Sequence, residues 1–261
     1  MGTVRRESRP GGICLLTLDK PPANAIDERL LADLDDALDR AGRDDAVRVV
    51  VLGSAGTFFC GGFDFAAPRR DAAAAAALYR RYRDAHVRLL ALPKPTVAMV
   101  NGHAIAGGLV LALACDFRLG VEGEHRIGLN ELAVGAAFPR AAFEIVRLRL
   151  SHASASDLIL GAALYPASHA LRLGVLDEIC PATTFAETVF ARAARLAACP
   201  REAYAHAKAA LVAEAVARIT AETEDEALQT MAVWLAPESR KARAQQREKL
   251  SRRGGPSTPT S

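Results

Sequence analysis

The sequence predicts an α/β core followed by a helical C-terminal region, on three observations. Short β-branched runs alternate with helix-period segments through the first half of the chain. Beyond Ala141 the sequence turns mainly helical, and two long helix-forming stretches follow Pro200. With 261 residues, 51% of them hydrophobic, the chain can fill one large interior or a core with a smaller appendage.

The first strand is read at Ile13 to Leu18, an apolar run stopped by Pro21 and Pro22, whose rings and missing amides break a ladder. A helix is read from Asp27 to Ala41: Leu30, Leu31, Leu34, Ala37, Leu38 and Ala41 recur at helical spacing behind Asp27 as cap. The run VRVVVLGS reads as a buried strand. DAAAAAALYRRYRDAHVRLLAL reads as a helix ended by Pro93 and Pro95, and TVAMVNG as another buried strand. A soft boundary at Pro200 divides an expected core, residues 1–199, from a helical oligomerisation and lid region, 200–253, with a disordered tail at 254–261.

Aromatic residues make up only 5% of the chain, too few for the stacking platforms of single-strand nucleic-acid binders. The formal charge is +3, and Glu238 to Arg253 holds seven Lys or Arg against two Glu. That tail reads either as a phosphate-binding element or as a solvated face. Five scattered cysteines, Cys14, Cys60, Cys115, Cys180 and Cys199, without CxxC spacing imply reduced thiols in a cytoplasm-like compartment. Neither an export signal nor a membrane span is expected, because no apolar core follows the N-terminal charges and no apolar run reaches about 18 residues.

Two glycine pairs stand at the ends of buried strands: Gly61-Gly62 in FFCGGFDF and Gly107-Gly108 in NGHAIAGGLVLALACD. Each pair reads either as a tight packing turn or as a loop that lets backbone amides face a cavity. Two such loops could aim two N–H groups at one oxygen, the arrangement of an oxyanion hole.

FFCGGFDF, PKPTVAMVNGHAIAGGLVLALACDFRL and IGLNELAVG together resemble the signature stretches of the crotonase superfamily, the enoyl-CoA hydratase/isomerase proteins. PPANAID and WLAPESRKARAQQREKL extend the likeness over nearly the whole chain. The resemblance implies an α/β spiral of ββα units with two roughly perpendicular sheets, then helices that pack subunits into trimers or dimers of trimers. It implies an acyl-CoA thioester as substrate, with no separate cofactor, and an enolate held by two main-chain amides. Carried onto this sequence, those donors are Phe63 and Gly107, and the implied substrate and CoA contacts are Ala23, Ala25, Gly61, Gly62, Asp64 and Gly108.

Hydratases of this family use two glutamates; here the first position is Val110, and only Glu131 of the later NE motif remains. Two carboxylates suit water addition, whereas one suffices to move a proton from C2 to C4. The pattern therefore resembles the 3,2-enoyl-CoA isomerases, with Glu131 as acid and base in an apolar setting that raises its pKa. The alternatives are a hydratase assisted by Glu144, and a catalytically silent protein that binds acyl-CoA or partners.

Other candidates have structural readings. Glu144 is expected to pair with Arg147 or Arg140, Asp64 to brace its loop by accepting backbone hydrogen bonds, and Asp116 to end the helix begun at Gly107. Cys60 lacks a linked histidine, His103 reads as packed or exposed, and the six histidines show no metal-binding spacing. GHAIAGG matches neither GxGxxG nor a Walker loop. Arg240, Lys241 and Lys249 are the candidates for meeting the CoA phosphates.

Overall fold

A computed structural model describes residues 2–64 and 72–253, with the side chains of 72, 73 and 246–253 excepted. Strands β1 (Val4–Arg9) and β2 (Ile13–Leu18) form an antiparallel hairpin, with Val4 opposite Leu18 and Arg9 opposite Ile13. Gly11 and Gly12 turn it at φ of 77° and 73°, where glycine carries no steric penalty. Helix α1 (Glu28–Arg43) follows, with Asp27 accepting the Leu30 amide at 2.8 Å as predicted for its cap.

A repeating strand-strand-helix path then builds two sheets at once. Strand β3 (Val49–Ser54) enters the first sheet and β4 (Phe58–Cys60) the second, before α2 (Ala72–Leu90). Strands β5 (Thr96–Val100) and β6 (His103–Ile105) repeat the division before α3 (Gly107–Ala114), and β7 (Phe117–Val121) and β8 (Ile127–Gly128) repeat it again. After α4 (Arg140–Arg149) and α5 (His152–Leu160), β9 (Leu164–Tyr165) closes the second sheet. Helix α6 (Ala167–Arg172) leads to β10 (Glu178–Cys180), which closes the first. The orders are β1-β2-β3-β5-β7-β10 and β4-β6-β8-β9, and pairing is parallel except for β1 with β2 and β8 with β9.

The continuous apolar runs follow from burial on both faces of the first sheet. Leu16, Leu18, Val50 and Leu52 join the main core with α1 and α3, while Ile13, Leu15, Val49 and Val51 pack beneath α7 (Phe185–Ala197).

Helices α8 (Arg201–Thr220), α9 (Glu224–Leu235) and α10 (Pro237–Arg253) complete the chain. Pro200 does precede α8, but the break is topological: Val212 and Ile219 lie in the same core cluster as Leu16 and Leu30. Asp116 pins α8 to the sheet, accepting from Lys208 Nζ at 2.8 Å, the Tyr204 hydroxyl at 3.1 Å and the Thr96 amide at 2.9 Å. Its role is thus larger than the helix stop expected of it, and Cys115 forms the cap of α3 instead. The expected disordered tail at 254–261 lies outside the described residues.

Candidate active site

The two glycine pairs meet. Segment 23–26 runs beside segment 61–64, joined by Gly61 N to Ala23 O at 2.8 Å, Ile26 N to Gly62 O at 2.7 Å and Asp64 N to Ile26 O at 2.8 Å. Beneath this ladder, buried Asn24 donates to the carbonyls of Ala55 and Phe58, and the Cys60 thiol donates to Asn24 O. Burial pushes that thiol up to about 12, so Cys60 is a structural hydrogen-bond donor and not a nucleophile. Asp64 braces its loop through a cation: Lys20 Nζ reaches Asp64 at 3.1 Å, Asp27 at 3.0 Å and the Ala25 carbonyl at 2.9 Å.

Each glycine has its own steric reason. A Cβ on Gly62, at φ 81°, would lie 2.9 Å from Ala106 Cβ and 3.4 Å from the Gly107 nitrogen. A Cβ on Gly108 would lie 2.1 Å from the Cys60 carbonyl oxygen, so Gly108, placed by resemblance among the substrate contacts, serves loop-to-loop packing. A Cβ on Gly107 would meet Tyr82 Cε2 at 3.2 Å and Ile26 Cδ1 at 3.3 Å. The backbone departure sits one residue earlier: Ala106 holds φ 53° and ψ −132°, a conformation disfavoured for a residue with a Cβ. Its ψ sets the direction of the Gly107 N–H, which as the first amide of α3 has no helical acceptor.

Phe63 forms a parallel bridge with Ile26, and its ring lies between Tyr82, at 4.9 Å between centroids, and Trp234, edge-on at 5.3 Å. Trp234 donates from Nε1 to Ala137 O at 2.6 Å, and Arg243 of α10 donates to the carbonyls of Gly135 and Trp234. The terminal helices thus cover Phe63, with Met231 and Trp234 closing a crevice of about 10 Å³ against Phe63, Ala75, Leu78 and Tyr79. Arg240 and Lys241 are exposed on α10, and the Lys249 side chain lies outside the described residues.

Glu131 follows β8, whose Gly128 carbonyl accepts the Ala106 amide at 2.9 Å, so the carboxyl is tethered to the second glycine loop. The Glu131 carbonyl is held by the amides of Val134 and Ala136. The residue is 6% exposed, and its Oε2 is buried with no hydrogen-bond partner among the described residues. Burial raises its pKa from the ordinary 4.5 to about 8. Of the other buried glutamates, Glu144 is held by Arg218 at 2.6 Å and Arg147 at 3.3 Å, and Glu222 accepts the Tyr79 hydroxyl at 2.6 Å through Oε1, its Oε2 having no partner among the described residues. Arg140 pairs instead with Glu226. Val110 is fully buried in the first turn of α3 and supplies no acid. His103 lies at the second sheet, accepting the Arg126 amide and packing on Phe58.

Lys20, Ala106 and Tyr82 were not singled out by sequence. Lys20 lies two residues past β2 and was legible only as a loop charge; Ala106 looks like any alanine until its φ is seen; Tyr82 reads as one apolar position of α2.

A sequence profile described as enoyl-CoA hydratase/isomerase matches residues 8–251. A probable enoyl-CoA hydratase of Mycobacterium avium is 33% identical over 204 residues, covering 77% of this chain and 79% of that one. The human mitochondrial delta3-delta2-enoyl-CoA isomerase shares the fold at a TM-score of 0.92 and 24% identity, over 97% of this chain and all of that one. An enoyl-CoA isomerase of Mycobacterium tuberculosis is 30% identical with a TM-score of 0.79, over 88% of this chain and 98% of that one. With the two glycine loops abutting, the NE motif tethered beside them and a family match from residue 8 to residue 251, the chain is an enzyme of the enoyl-CoA hydratase/isomerase family.

Proposed function

We propose that this enzyme shifts the double bond of a 3-enoyl-CoA to give the 2-enoyl-CoA. Ionised Glu131 takes a proton from C2, and electron density moves onto the thioester oxygen as an enolate. The amides of Phe63 and Gly107 hold that oxygen, in water-poor surroundings where each donor is worth roughly 100- to 1000-fold in rate. The same carboxyl then returns the proton at C4, leaving the double bond between C2 and C3. The CoA arm lies along Ala23, Ala25 and Gly61, with Arg240 and Lys241 as candidates for its phosphates.

The observation that carries this reading is the supply of carboxylates. Val110 is fully buried where a second acid would stand, both oxygens of Glu144 are held by arginines, and Glu222 is bonded to Tyr79 through one oxygen, leaving Glu131 as the buried glutamate that no described side chain holds. The relatives named as hydratases favour water addition as the second reading. Incubation separates them: isomerisation of a 3-enoyl-CoA creates conjugated absorbance, and hydration of a 2-enoyl-CoA removes it. Glu131→Gln is expected to lower isomerase turnover at least about 1000-fold while the protein stays folded. Hydration faster than isomerisation, or near-full turnover in that variant, overturns the assignment. We further propose a homotrimer or dimer of trimers acting in the cytoplasm; no described helix is long and apolar enough to cross a membrane.

A further inference from the structure

Of the two tyrosines that α2 sends toward the site, one is satisfied and one is not. The Tyr79 hydroxyl donates to Glu222 at 2.6 Å and accepts the Arg140 amide at 3.3 Å. Tyr82 is fully buried, and its hydroxyl has no partner among the described residues. The phenol ring packs against Phe63 at 4.9 Å and His86 at 3.9 Å between ring centroids. The His86 ring is neutral, since burial pushes its pKa down to about 4, and its Nδ1 lies 2.7 Å from the Tyr82 carbonyl. The hydroxyl lies 3.6 Å from the point where a Cβ on Gly107 would stand, and Cε2 lies 3.2 Å from it. Tyr82 therefore packs directly beside Gly107, and Glu131, with its own unpartnered oxygen, is near enough for its charge to act on the phenol.

We propose that the Tyr82 hydroxyl is a third hydrogen-bond donor to the thioester oxygen, beside the amides of Phe63 and Gly107. The inference rests on the site assignment made above for the acyl-CoA. A buried hydroxyl without a partner destabilises the empty protein, and the arriving oxygen supplies the missing acceptor. Burial, then the charge of Glu131, raises the phenol well above its ordinary pKa, so it remains a donor across the working range. No proton is transferred; the hydroxyl strengthens its bond as the oxygen gains charge.

The test is the carbonyl stretch of a 2-enoyl-CoA labelled at its thioester carbon, read by difference infrared on the bound complex, together with turnover. Tyr82→Phe is expected to lose part of the bound ligand's shift to low frequency and to lower kcat about 10- to 100-fold, with KM within about threefold. Its pH profile should keep the midpoint of the parent. Placing 3-fluorotyrosine at position 82, a stronger donor of nearly the same shape, should move the carbonyl further down. An unchanged carbonyl in both variants overturns the inference, as does a displaced pH midpoint with an unchanged carbonyl, which would assign the phenol to Glu131 instead. A parent protein that binds and polarises the thioester without isomerising it overturns the proposed reaction and leaves this inference standing. One that binds no acyl-CoA overturns both.

Discussion

Glu131 ties the proposed chemistry to stability, because its carboxyl is held neutral by burial. Below pH 4.5 both folded and unfolded chains carry the proton, and the favourable contribution of the neutral group is complete. Between 4.5 and about 8 the unfolded chain releases the proton while the folded one retains it, so stability falls as pH rises. At about 1.4 kcal/mol per pH unit the accumulated loss is roughly 5 kcal/mol. Glu131→Gln has no such titration, and the difference in unfolding free energy between variant and parent should grow in the variant's favour over that window. Denaturant titrations at pH 5, 6.5 and 8 check this; parallel curves would mean that the carboxyl is solvated. The residue's surroundings were partly legible: Leu129, Leu132, Ala133 and Val134 announce an apolar setting. Local sequence could not tell that Leu132 and Ala133 face outward while Glu131 turns in, since that depends on the 3-10 turn at Leu132–Val134. Nor could it separate Tyr79 from Tyr82, because the partners of the first, Glu222 and Arg140, come from distant segments.

At the scale of elements, legibility followed burial. Strand β2 and helix α1 were readable because apolar positions and the Asp27 cap repeat the period of the element. Strand β1, VRRESR, was missed because its four middle positions are exposed, and its pairing comes from the hairpin and not from a core face. The ties of Asp116 to Lys208 and Tyr204 span 92 and 88 residues, beyond any local pattern. The glycine loops offer a sharper case, since the adjacent residues Gly107 and Gly108 look interchangeable in sequence. Gly108→Ala sets a methyl against the Cys60 backbone, which can yield only by parting β4 from α3, and should cost about 3 kcal/mol. Gly107→Ala presses only on the side chains of Tyr82 and Ile26 and should cost less, while narrowing the space before its amide and lowering turnover. Chemical denaturation of the two variants, with activity measured on the same preparations, separates packing from function. Equal stability losses would mean that both glycines serve the loop contact alone.

The whole molecule leaves apolar side chains on its outside. Leu160 of α5 is 71% exposed, Leu211 of α8 65% and Val233 of α9 53%, on helices whose opposite faces are fixed to the core. An isolated exposed leucine needs no explanation, but α8 presents Leu211 on a helix locked by Lys208, so a partner subunit would meet a rigid surface at little ordering cost. The proposed trimer gives these residues a role. Light scattering should then return about three times, or six times, the 27.7 kDa chain mass. Leu211→Asp places a charge at such a face without touching the core, so the expected outcome is a lower mass with the far-ultraviolet circular dichroism of the parent. Because α9 carries both Val233, facing out, and Trp234, packed on Phe63, loss of assembly should also loosen the cover of the site and raise KM more than it lowers kcat. A monomeric parent chain, or a Leu211→Asp variant of unchanged mass, would remove α8 from the interface and leave the cover of Phe63 to the contacts of Trp234 and Arg243 within one subunit.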